Sequence, residues 1–193
     1  MQLVFASNNQ NKIAEIQSLV PKSIEILSLI DIGCTEDIPE TADTIEGNAI
    51  LKANYVTEKY GYDCFADDSG LEIDFLNGAP GVFSARFAGE QKNDKDNIQK
   101  VLTELHGIEN RKAQFKTVIA LNLNSQQNLF TGIIEGVITE FEKGINGFGY
   151  DPIFQPNHFE ITFAEMNQAE KSAISHRGLA VKQLLNYIQY HGV

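Results

Sequence analysis

The sequence predicts an α/β protein built on a mixed β-sheet with flanking helices. In the first sixty residues, apolar runs typical of buried strands alternate with segments of helical periodicity. Two long strand-like segments at 114–123 and 129–139 then flank a polar stretch, which is typical of an antiparallel hairpin. The length of 193 residues predicts one domain, or two lobes that share a core.

The first four predicted elements alternate between strand and helix. An apolar run at 3–6 precedes a polar loop and then a segment in which apolar residues recur with helical spacing. Residues 24–27 indicate a second strand. Thr44 is placed to N-cap the second helix, because its side chain can accept a hydrogen bond from the first turn, and Gly61 is placed to end it.

The rest of the chain predicts further strands and two more helices. In chain order we predict a short buried strand at 63–66, a half-exposed strand at 71–75, a helix from Asn93 or Asp94 to Gly107, the hairpin, a glycine-rich loop at 144–151 and a last helix after Ser175. The second of these strands is predicted from its alternation of apolar and polar residues. No linker, repeat or low-complexity segment divides the chain.

Charge and hydrophobicity exclude several classes of partner. Fifteen Lys and Arg against 26 Asp and Glu give a net charge of −11. Because nucleic acid polymers are bound through basic surfaces, we expect no nucleic acid partner, whereas a small anionic ligand needs only a local basic pocket. The longest apolar runs are far shorter than the roughly 20 residues of a membrane helix, so we expect no membrane partner.

The cysteines and the N-terminal residues bear on the cellular location of the protein. Cys34 and Cys64 lack the close spacing of metal ligands, and we expect two free thiols in a reducing cytoplasm. Residues 1–5 lack the basic start and long apolar stretch of a signal peptide, and they predict a strand instead.

The first candidate site is the polar segment at 7–12, between the first strand and the first helix. A helix N-terminus presents unpaired N–H groups and a partial positive charge, which attract phosphate, and Lys12 adds a full charge. The segment is not a P-loop, because the spacing of glycines and lysine of that motif occurs nowhere in the chain. An ordinary polar loop with a solvated lysine is the alternative.

The second candidate is the acidic segment at 65–70. Adjacent strand residues point to opposite faces, so Asp67 and Asp68 cannot both face the same side. A carboxylate in a cleft near phosphates can hold Mg²⁺ and orient or deprotonate a water, and Glu40 could add a second oxygen ligand. The alternatives are a turn that ends the strand, for the aspartates, and a solvated loop residue, for the glutamate.

Two further segments have residues suited to a ligand. At 147–152, two glycines flank an aromatic residue that could stack on a flat base, although the same residues could form a tight loop between strands. At 171–178, His176 and Arg177 follow a candidate helix cap. Cations there are electrostatically unfavourable, which indicates a ligand that needs hydrogen-bond donors; a solvated basic cap is the alternative.

Taken together and in order, these motifs resemble the inosine triphosphate pyrophosphatase family, also called the non-canonical purine NTP pyrophosphatases. The resemblance lies at 7–12, 46–53, 67–71, 78–86, 148–152 and 171–178, and so spans nearly the whole chain. It implies an elongated mixed sheet with two lobes around a central nucleotide cleft, within a single domain over residues 1–193. It also implies a homodimer and an Mg²⁺-dependent hydrolase of ITP, dITP or XTP that releases the monophosphate and pyrophosphate.

The same resemblance implies a role for each matching residue. We expect Glu40 and Asp68 to hold Mg²⁺, Asp68 to accept the proton of the attacking water, and Ser69 to contact the substrate. The triphosphate is expected to bind, with help from Lys52, to the opening segment: Ser7, Asn8, Asn9, Gln10, Asn11 and Lys12. The purine is expected to bind to Phe148, Gly149, Tyr150, Asp151, Lys171, His176 and Arg177. Phe148 is expected to stack on the base.

Two departures from the family pattern affect these expectations. Asn8 stands where the family often has glycine, and asparagine tolerates a left-handed backbone better than most residues. Gly47 makes the motif that begins at Glu46 one residue longer than its short form. Two other functions stay open: a pyrophosphatase for pyrimidine or modified nucleotides, and a non-catalytic nucleotide-binding module.

Overall fold

Six strands form one mixed sheet in the computed structural model of the chain, which describes residues 1–191. The strands are β1 Gln2–Phe5, β2 Glu25–Leu27, β3 Cys64–Ile73, β4 Lys112–Leu123, β5 Gln126–Ile138 and β6 Phe154–Pro156, in the spatial order β2-β1-β3-β4-β5-β6. β1 pairs in parallel with β2 and β3, whereas β5 and β6 are antiparallel. The predicted α/β class with a mixed sheet is confirmed.

Within residues 1–191, five α-helices accompany the sheet: α1 Gln10–Leu19, α2 Ile45–Tyr60, α3 Asp94–Glu104, α4 Gln168–Ile174 and α5 His176–His191. The predicted caps are present: the Thr44 side chain accepts from the Gly47 N–H, and Gly61 ends α2 in the left-handed conformation. α4 and β6 were not predicted, because seven and three residues are too few for a clear periodic pattern. Within residues 1–191, no helix is long and apolar enough to cross a membrane.

The acidic segment lies inside a strand. β3 is continuous from Cys64 to Ile73, so the prediction of two short strands separated by polar residues was wrong. Asp67 and Asp68 are both buried, and each has charged or polar partners, so the chain can keep its extended conformation through them. The Ser84 hydroxyl accepts from the Leu71 N–H further along the strand.

The hairpin is tighter than its sequence indicates. Asn124 and Ser125 alone connect β4 to β5, and both have positive φ, as the common two-residue hairpin turn requires. Of the polar residues predicted as loop, Gln126, Gln127 and Asn128 belong to β5 instead. The Gln127 side chain donates to Asn54 and Asn122, and Asn128 donates to the Tyr187 hydroxyl, so these polar groups are satisfied within the fold.

The described chain divides into two compact units, each with its own apolar core. The first unit comprises residues 1–68, 117–132 and 177–191, and the second comprises 69–116 and 133–176. The core of the first unit contains Leu3, Phe5, Ile16, Phe65, Ile119, Leu121, Leu123, Phe130, Ala180, Val181, Leu184 and Ile188. That of the second contains Leu71, Ile73, Ile98, Val101, Leu105, Ala113, Phe115, Ile138, Tyr150, Ile153, Phe154, Phe163 and Met166.

Candidate active site

A buried charge network surrounds Asp67 in the first unit. The Lys12 Nζ lies 3.1 Å from the Asp67 Oδ1, and the Arg177 Nε donates to the Asp67 Oδ2 at 3.0 Å. Arg177 also donates through Nη1 to the Glu15 Oε2. The side chains of Asp67 and Arg177 are almost fully removed from solvent, so their charges depend on each other for compensation.

Electrostatics keep this network ionised. Burial opposes a charged Asp67, but the positive charges of Lys12 and Arg177 outweigh burial and hold the pKa of Asp67 well below its usual range. Burial likewise opposes a charged Arg177, and the carboxylates of Asp67 and Glu15 raise its pKa instead. Burial lowers the pKa of Lys12, with Asp67 opposing that shift. Lys12 and Arg177 therefore favour the anionic form of Asp67.

Asp68 has a different set of partners in the same unit. The Asn48 Nδ2 donates to the Asp68 Oδ2 at 3.3 Å, and the Lys52 Nζ lies 3.6 Å from the Asp68 Oδ1. The same ammonium lies 2.5 Å from the Glu40 Oε1. Asn48 and Lys52 are four residues apart on α2, which places both on one helix face. One cation thus contacts both carboxylates that the sequence nominates as metal ligands.

The pKa of Asp68 shifts in the opposite direction from that of its neighbour. Burial raises the pKa of the Asp68 carboxyl, and the nearby Lys52 and Lys12 only partly offset this effect. Burial disfavours a charged Lys52, but the carboxylates of Asp68 and Glu40 outweigh burial and raise its pKa, so Lys52 stays cationic. A carboxylate with a raised pKa is a stronger base, as proton abstraction from water requires.

A cluster around Glu36 fixes the loop that leads to Glu40. The Glu36 Oε1 accepts hydrogen bonds from the Tyr55 hydroxyl at 2.7 Å, the Tyr60 hydroxyl at 2.7 Å and the Lys59 Nζ at 2.6 Å. These three donors lower the pKa of Glu36, with Lys59 the largest contributor. All three lie on α2, the helix that also supplies Asn48 and Lys52.

The start of α2 fixes the other side of the same loop. The Asn48 Oδ1 accepts from the Ala42 N–H at 3.0 Å while its Nδ2 donates to Asp68, so one buried amide joins the loop to β3. A Cβ at Gly47 would lie 2.6 Å from the Ala42 Cβ. The additional glycine in this motif therefore allows the loop to approach the helix closely.

The polar segment at 7–12 forms the start of α1. The Asn9 side chain caps the helix by accepting from the N–H groups of Asn11 and Lys12, and the Ser7 hydroxyl accepts from the Asn9 N–H. Asn8, Asn9, Gln10 and Asn11 are exposed, whereas Ser7 and Lys12 are partly buried. The segment combines accessible polar groups with a cation at a helix N-terminus.

The carboxylates of Glu40 and Asp68 are suited to a divalent cation whose remaining ligands come from the substrate and water. Within residues 1–191, no group of three or more His, Cys, Asp or Glu side chains could hold a metal ion. Glu40 and Asp68 nevertheless offer two hard oxygen ligands. Both carboxylates lie next to the Lys52 ammonium, so one cation already bridges them. Mg²⁺ typically takes one or two carboxylates and completes its shell with water and phosphate oxygens.

In the second unit, residues 147–151 form a loop around one half-buried ring, which we call the aromatic loop. The Asp151 Oδ2 accepts from the Phe148 N–H at 2.8 Å and from the Lys171 Nζ at 2.6 Å. The Lys171 Nζ lies 4.9 Å from the centre of the Phe148 ring. Gly147 has a φ of +75°, and a Cβ there would collide with the Asp151 carboxylate.

Two more predicted residues belong to this unit. The His176 ring is buried and stacks on Phe115, with ring centres 4.5 Å apart and an interplanar angle of 8°. Ser69, directly after Asp68 on β3, is partly exposed.

The structure thus brings the predicted residues together in two groups. The first unit contains the polar segment at 7–12, Glu40, Asp68 and Arg177, and the second contains Ser69, the aromatic loop, Lys171 and His176. The sequence reasoning missed the charge partner Glu15 and the amide of Asn48, and it assigned Asp67 no role. Helical spacing carried a signal for Asn48, which precedes Lys52 by four residues, whereas the partner of Glu15, Arg177, lies 162 residues away in the sequence.

We predict that Asp67→Asn destabilises the fold by about 3–5 kcal/mol at pH 7, because it leaves buried cations without their counter-ion. The pKa of Asp67 is lower in the folded state than the unfolded value of about 3.9. Its contribution is therefore fully present above about pH 5 and is lost as pH falls through 4 toward the folded pKa. Urea unfolding between pH 3 and 8 measures both effects.

Asp37→Asn is the matched control, since it removes one carboxylate from an exposed position. The wild type and this control should lose stability in parallel as pH falls from 6 to 3, whereas Asp67→Asn should lose less over the same interval. Equal acid sensitivity of Asp67→Asn and the wild type would contradict the role of Asp67.

Comparison with known proteins places this arrangement in a family. A dITP/XTP pyrophosphatase from Flavobacterium psychrophilum is 67% identical to the chain, over 98% of the chain and 100% of that relative. A Bacillus subtilis protein of the same name is 44% identical, over 97% of each chain. Among solved structures, the Staphylococcus aureus Ham1 protein superposes with a TM-score of 0.90 at 38% identity, covering 98% of this chain and 99% of its own.

A HAM1 protein from Coxiella burnetii superposes with a TM-score of 0.91 at 42% identity, again covering 98% and 99%. The sequence model of the Ham1 family matches residues 3–187. Both kinds of comparison span nearly the whole chain, which confirms the resemblance drawn from the six motifs: the chain belongs to the Ham1 family.

Proposed function

We propose that this protein hydrolyses non-canonical purine nucleoside triphosphates, namely dITP, ITP and XTP, to the monophosphate and pyrophosphate. Its relatives at 43–67% identity bear the name dITP/XTP pyrophosphatase. Within the chain, the observation that carries the proposal is the pair of dissimilar carboxylates on β3. Lys12 and Arg177 contact Asp67, whereas Asn48 and Lys52 contact Asp68.

Asp68 is the residue to which we assign the proton of the attacking water. The water oxygen attacks the α-phosphorus, the bond from that phosphorus to the α,β-bridging oxygen breaks, and pyrophosphate leaves. One water proton moves to an Asp68 Oδ, whose raised pKa favours its uptake. Asn48 and Lys52 contact the two Asp68 oxygens and hold the carboxylate in place. No covalent intermediate is needed, since such transfers depend on positioning and charge neutralisation.

The triphosphate is assigned to the cationic and polar groups of the first unit. We infer that Lys12 and the exposed polar residues before it bind phosphate oxygens at the start of α1, and that Lys52 neutralises charge near Asp68. A bound Mg²⁺ would supply electrostatic stabilisation of the phosphate charge. Glu40 and Asp68 would hold it, with the Lys52 ammonium beside both carboxylates.

The base is assigned to the second unit. We infer that the half-buried Phe148 ring stacks on the purine, which adds affinity for any purine because every purine has a flat face. Lys171 and His176 are donors suited to a 6-oxo group. Adenine presents a 6-amino donor there, and such a mismatch in a fixed site can cost about 10⁴-fold in rate. That Arg177 reaches the base stays a prediction, since two of its N–H groups donate to Asp67 and Glu15.

Assembly and location are further proposals. We propose a homodimer, because the second unit exposes several apolar side chains that an interface would bury: Ile133, Val137, Phe141 and Ile145. Light scattering that gives twice the mass of one chain would support it. A cytoplasmic location stays a prediction, in line with two buried free cysteines.

Product analysis tests the proposed function. With Mg²⁺ present, dITP, ITP and XTP should each yield one pyrophosphate per monophosphate, and ATP should yield far less. Release of orthophosphate would contradict cleavage at the α-phosphorus. Preferred turnover of pyrimidine nucleotides would favour the alternative substrate class, and tight binding without turnover would favour a binding module.

Asp68→Asn should lower kcat for ITP by at least about 10²-fold, because it removes a base and a metal ligand while keeping the side-chain shape. Asp74→Asn removes one carboxylate from an exposed position of the second unit and should retain kcat. Circular dichroism confirms that both variants fold. A folded Asp68→Asn protein with near wild-type kcat would refute the assigned role.

Glu40→Gln should raise the Mg²⁺ concentration for half-maximal turnover by at least about tenfold, the usual cost of disturbing even an indirect metal contact. Asp43→Asn serves as its control, because it neutralises an exposed carboxylate three residues further along the same loop. Mg²⁺ titrations of pyrophosphate release compare the two. If both variants respond to Mg²⁺ like the wild type, Glu40 is not a ligand.

A further inference from the structure

We propose that Asp94 is a positioning residue for the aromatic loop and acts through the backbone N–H of Gly149. The Asp94 Oδ2 accepts from that N–H at 2.8 Å, across 55 residues of sequence. Asp94 lies outside every motif that the chain shares with the family pattern. The proposal rests on the proposed function in one respect, the assignment of the purine base to Phe148.

The aromatic loop is fixed at three consecutive residues. Asp151 accepts from the Phe148 N–H, Asp94 accepts from the Gly149 N–H, and the Tyr150 hydroxyl donates to the Ser84 carbonyl at 2.8 Å. Asp151 belongs to the loop itself, and Tyr150 anchors it through its own side chain. Asp94 holds the loop backbone from a separate helix, α3.

The helix that contributes Asp94 is itself well anchored. Asn97, one turn further along α3, is buried; it donates to the Ala85 carbonyl and accepts from the Ala88 N–H. The Lys100 Nζ donates to the Phe87 carbonyl at 2.7 Å. Asp94 therefore projects from a rigid support, and its bond to Gly149 transmits that rigidity to the loop.

The Asp94 carboxylate is not needed to cap its own helix. Asn93 is the N-cap of α3 and accepts from the Asp96 N–H, and Asp96 supplies a second negative charge to the same first turn. The charge of Asp94 also reaches the loop: after burial, it is the second cause that raises the pKa of the Tyr150 hydroxyl. Asp94 therefore acts on the aromatic loop in two ways, through its hydrogen bond to Gly149 and through its charge near Tyr150.

The expected effect is on substrate binding and not on the chemical step. Without its bond to Asp94, the Gly149 backbone gains freedom, and the Phe148 ring next to it must be ordered when the base binds. That ordering weakens binding. The groups assigned to the water and the phosphates lie on other elements, so kcat should change little.

Three substitutions test the proposal. Asp94→Ala should raise KM for ITP about threefold to tenfold, the range for one lost hydrogen bond, with kcat within about twofold of wild type. Asp94→Asn keeps an oxygen acceptor of the same shape and should restore KM most of the way. Asp96→Ala removes the same charge from the same helix turn, and should leave KM unchanged.

A second readout is independent of activity. The chain contains six tyrosines but no tryptophan, so Phe148→Trp introduces a single indole on the aromatic loop, which can be excited at wavelengths where tyrosine does not absorb. In that background, without nucleotide, Asp94→Ala should lower the steady-state anisotropy of the introduced indole, whereas Asp94→Asn and Asp96→Ala should not. Amide hydrogen exchange at Gly149 in the chain with native Phe148 should accelerate in Asp94→Ala alone.

The outcomes separate this proposal from the proposed function. Unchanged anisotropy, exchange and KM in Asp94→Ala would overturn the positioning role. A mobile loop with unchanged KM would also overturn it, since the loop would then not serve the base. If wild-type protein released no pyrophosphate from ITP, the proposed function would fail, while the loop measurements would still decide whether Asp94 holds Gly149.

Discussion

Two adjacent carboxylates buried in the middle of one strand are the constraint on which the first unit depends. Asp67 and Asp68 point to opposite faces of β3, and neither can lose its water without a partner. Lys12 and Arg177 therefore approach one face of the strand, and Lys52 approaches the other. These three cations come from three different helices, so the burial of Asp67 and Asp68 determines how α1, α2 and α5 are held at β3.

The same constraint gives neighbouring residues different chemistry. Asp67 contacts two cations directly and stays ionised, whereas Asp68 contacts an amide and a more distant ammonium, so burial decides its pKa. Environments that drive the pKa values of two carboxylates apart are a common basis for assigning separate roles. The Asp67 carboxylate keeps Lys12 and Arg177 in place, and in the proposed reaction Asp68 and Glu40 take the other roles. A single carboxylate on this strand could not do both.

The sequence predicted elements whose signal is local. Thr44 and Gly61 bound α2 as their side-chain and backbone preferences require, and the α/β class followed from alternating periodicities. The prediction of a turn at residues 67–70 was wrong, because Asp67 and Asp68 find charged partners elsewhere in the chain and the strand stays extended through them. The sequence nominated Glu40 and Asp68 through motifs. It could not find Asp94 or Glu36, because a single carboxylate outside a motif has no pattern until its partner is known.

Both units hold a functional loop by its backbone, with a side chain from the first turn of a helix. Asn48 of α2 accepts from the Ala42 N–H, and Asp94 of α3 accepts from the Gly149 N–H. Because these two bonds reach the loops through main-chain N–H groups, neither of them uses the side chain of Glu40 or Phe148. Helix first turns suit this task, because they are rigid and favour the oxygen-bearing side chains that accept such bonds. In both units, then, one anchor of the loop lies on a helix and is independent of the side chains that the loop presents.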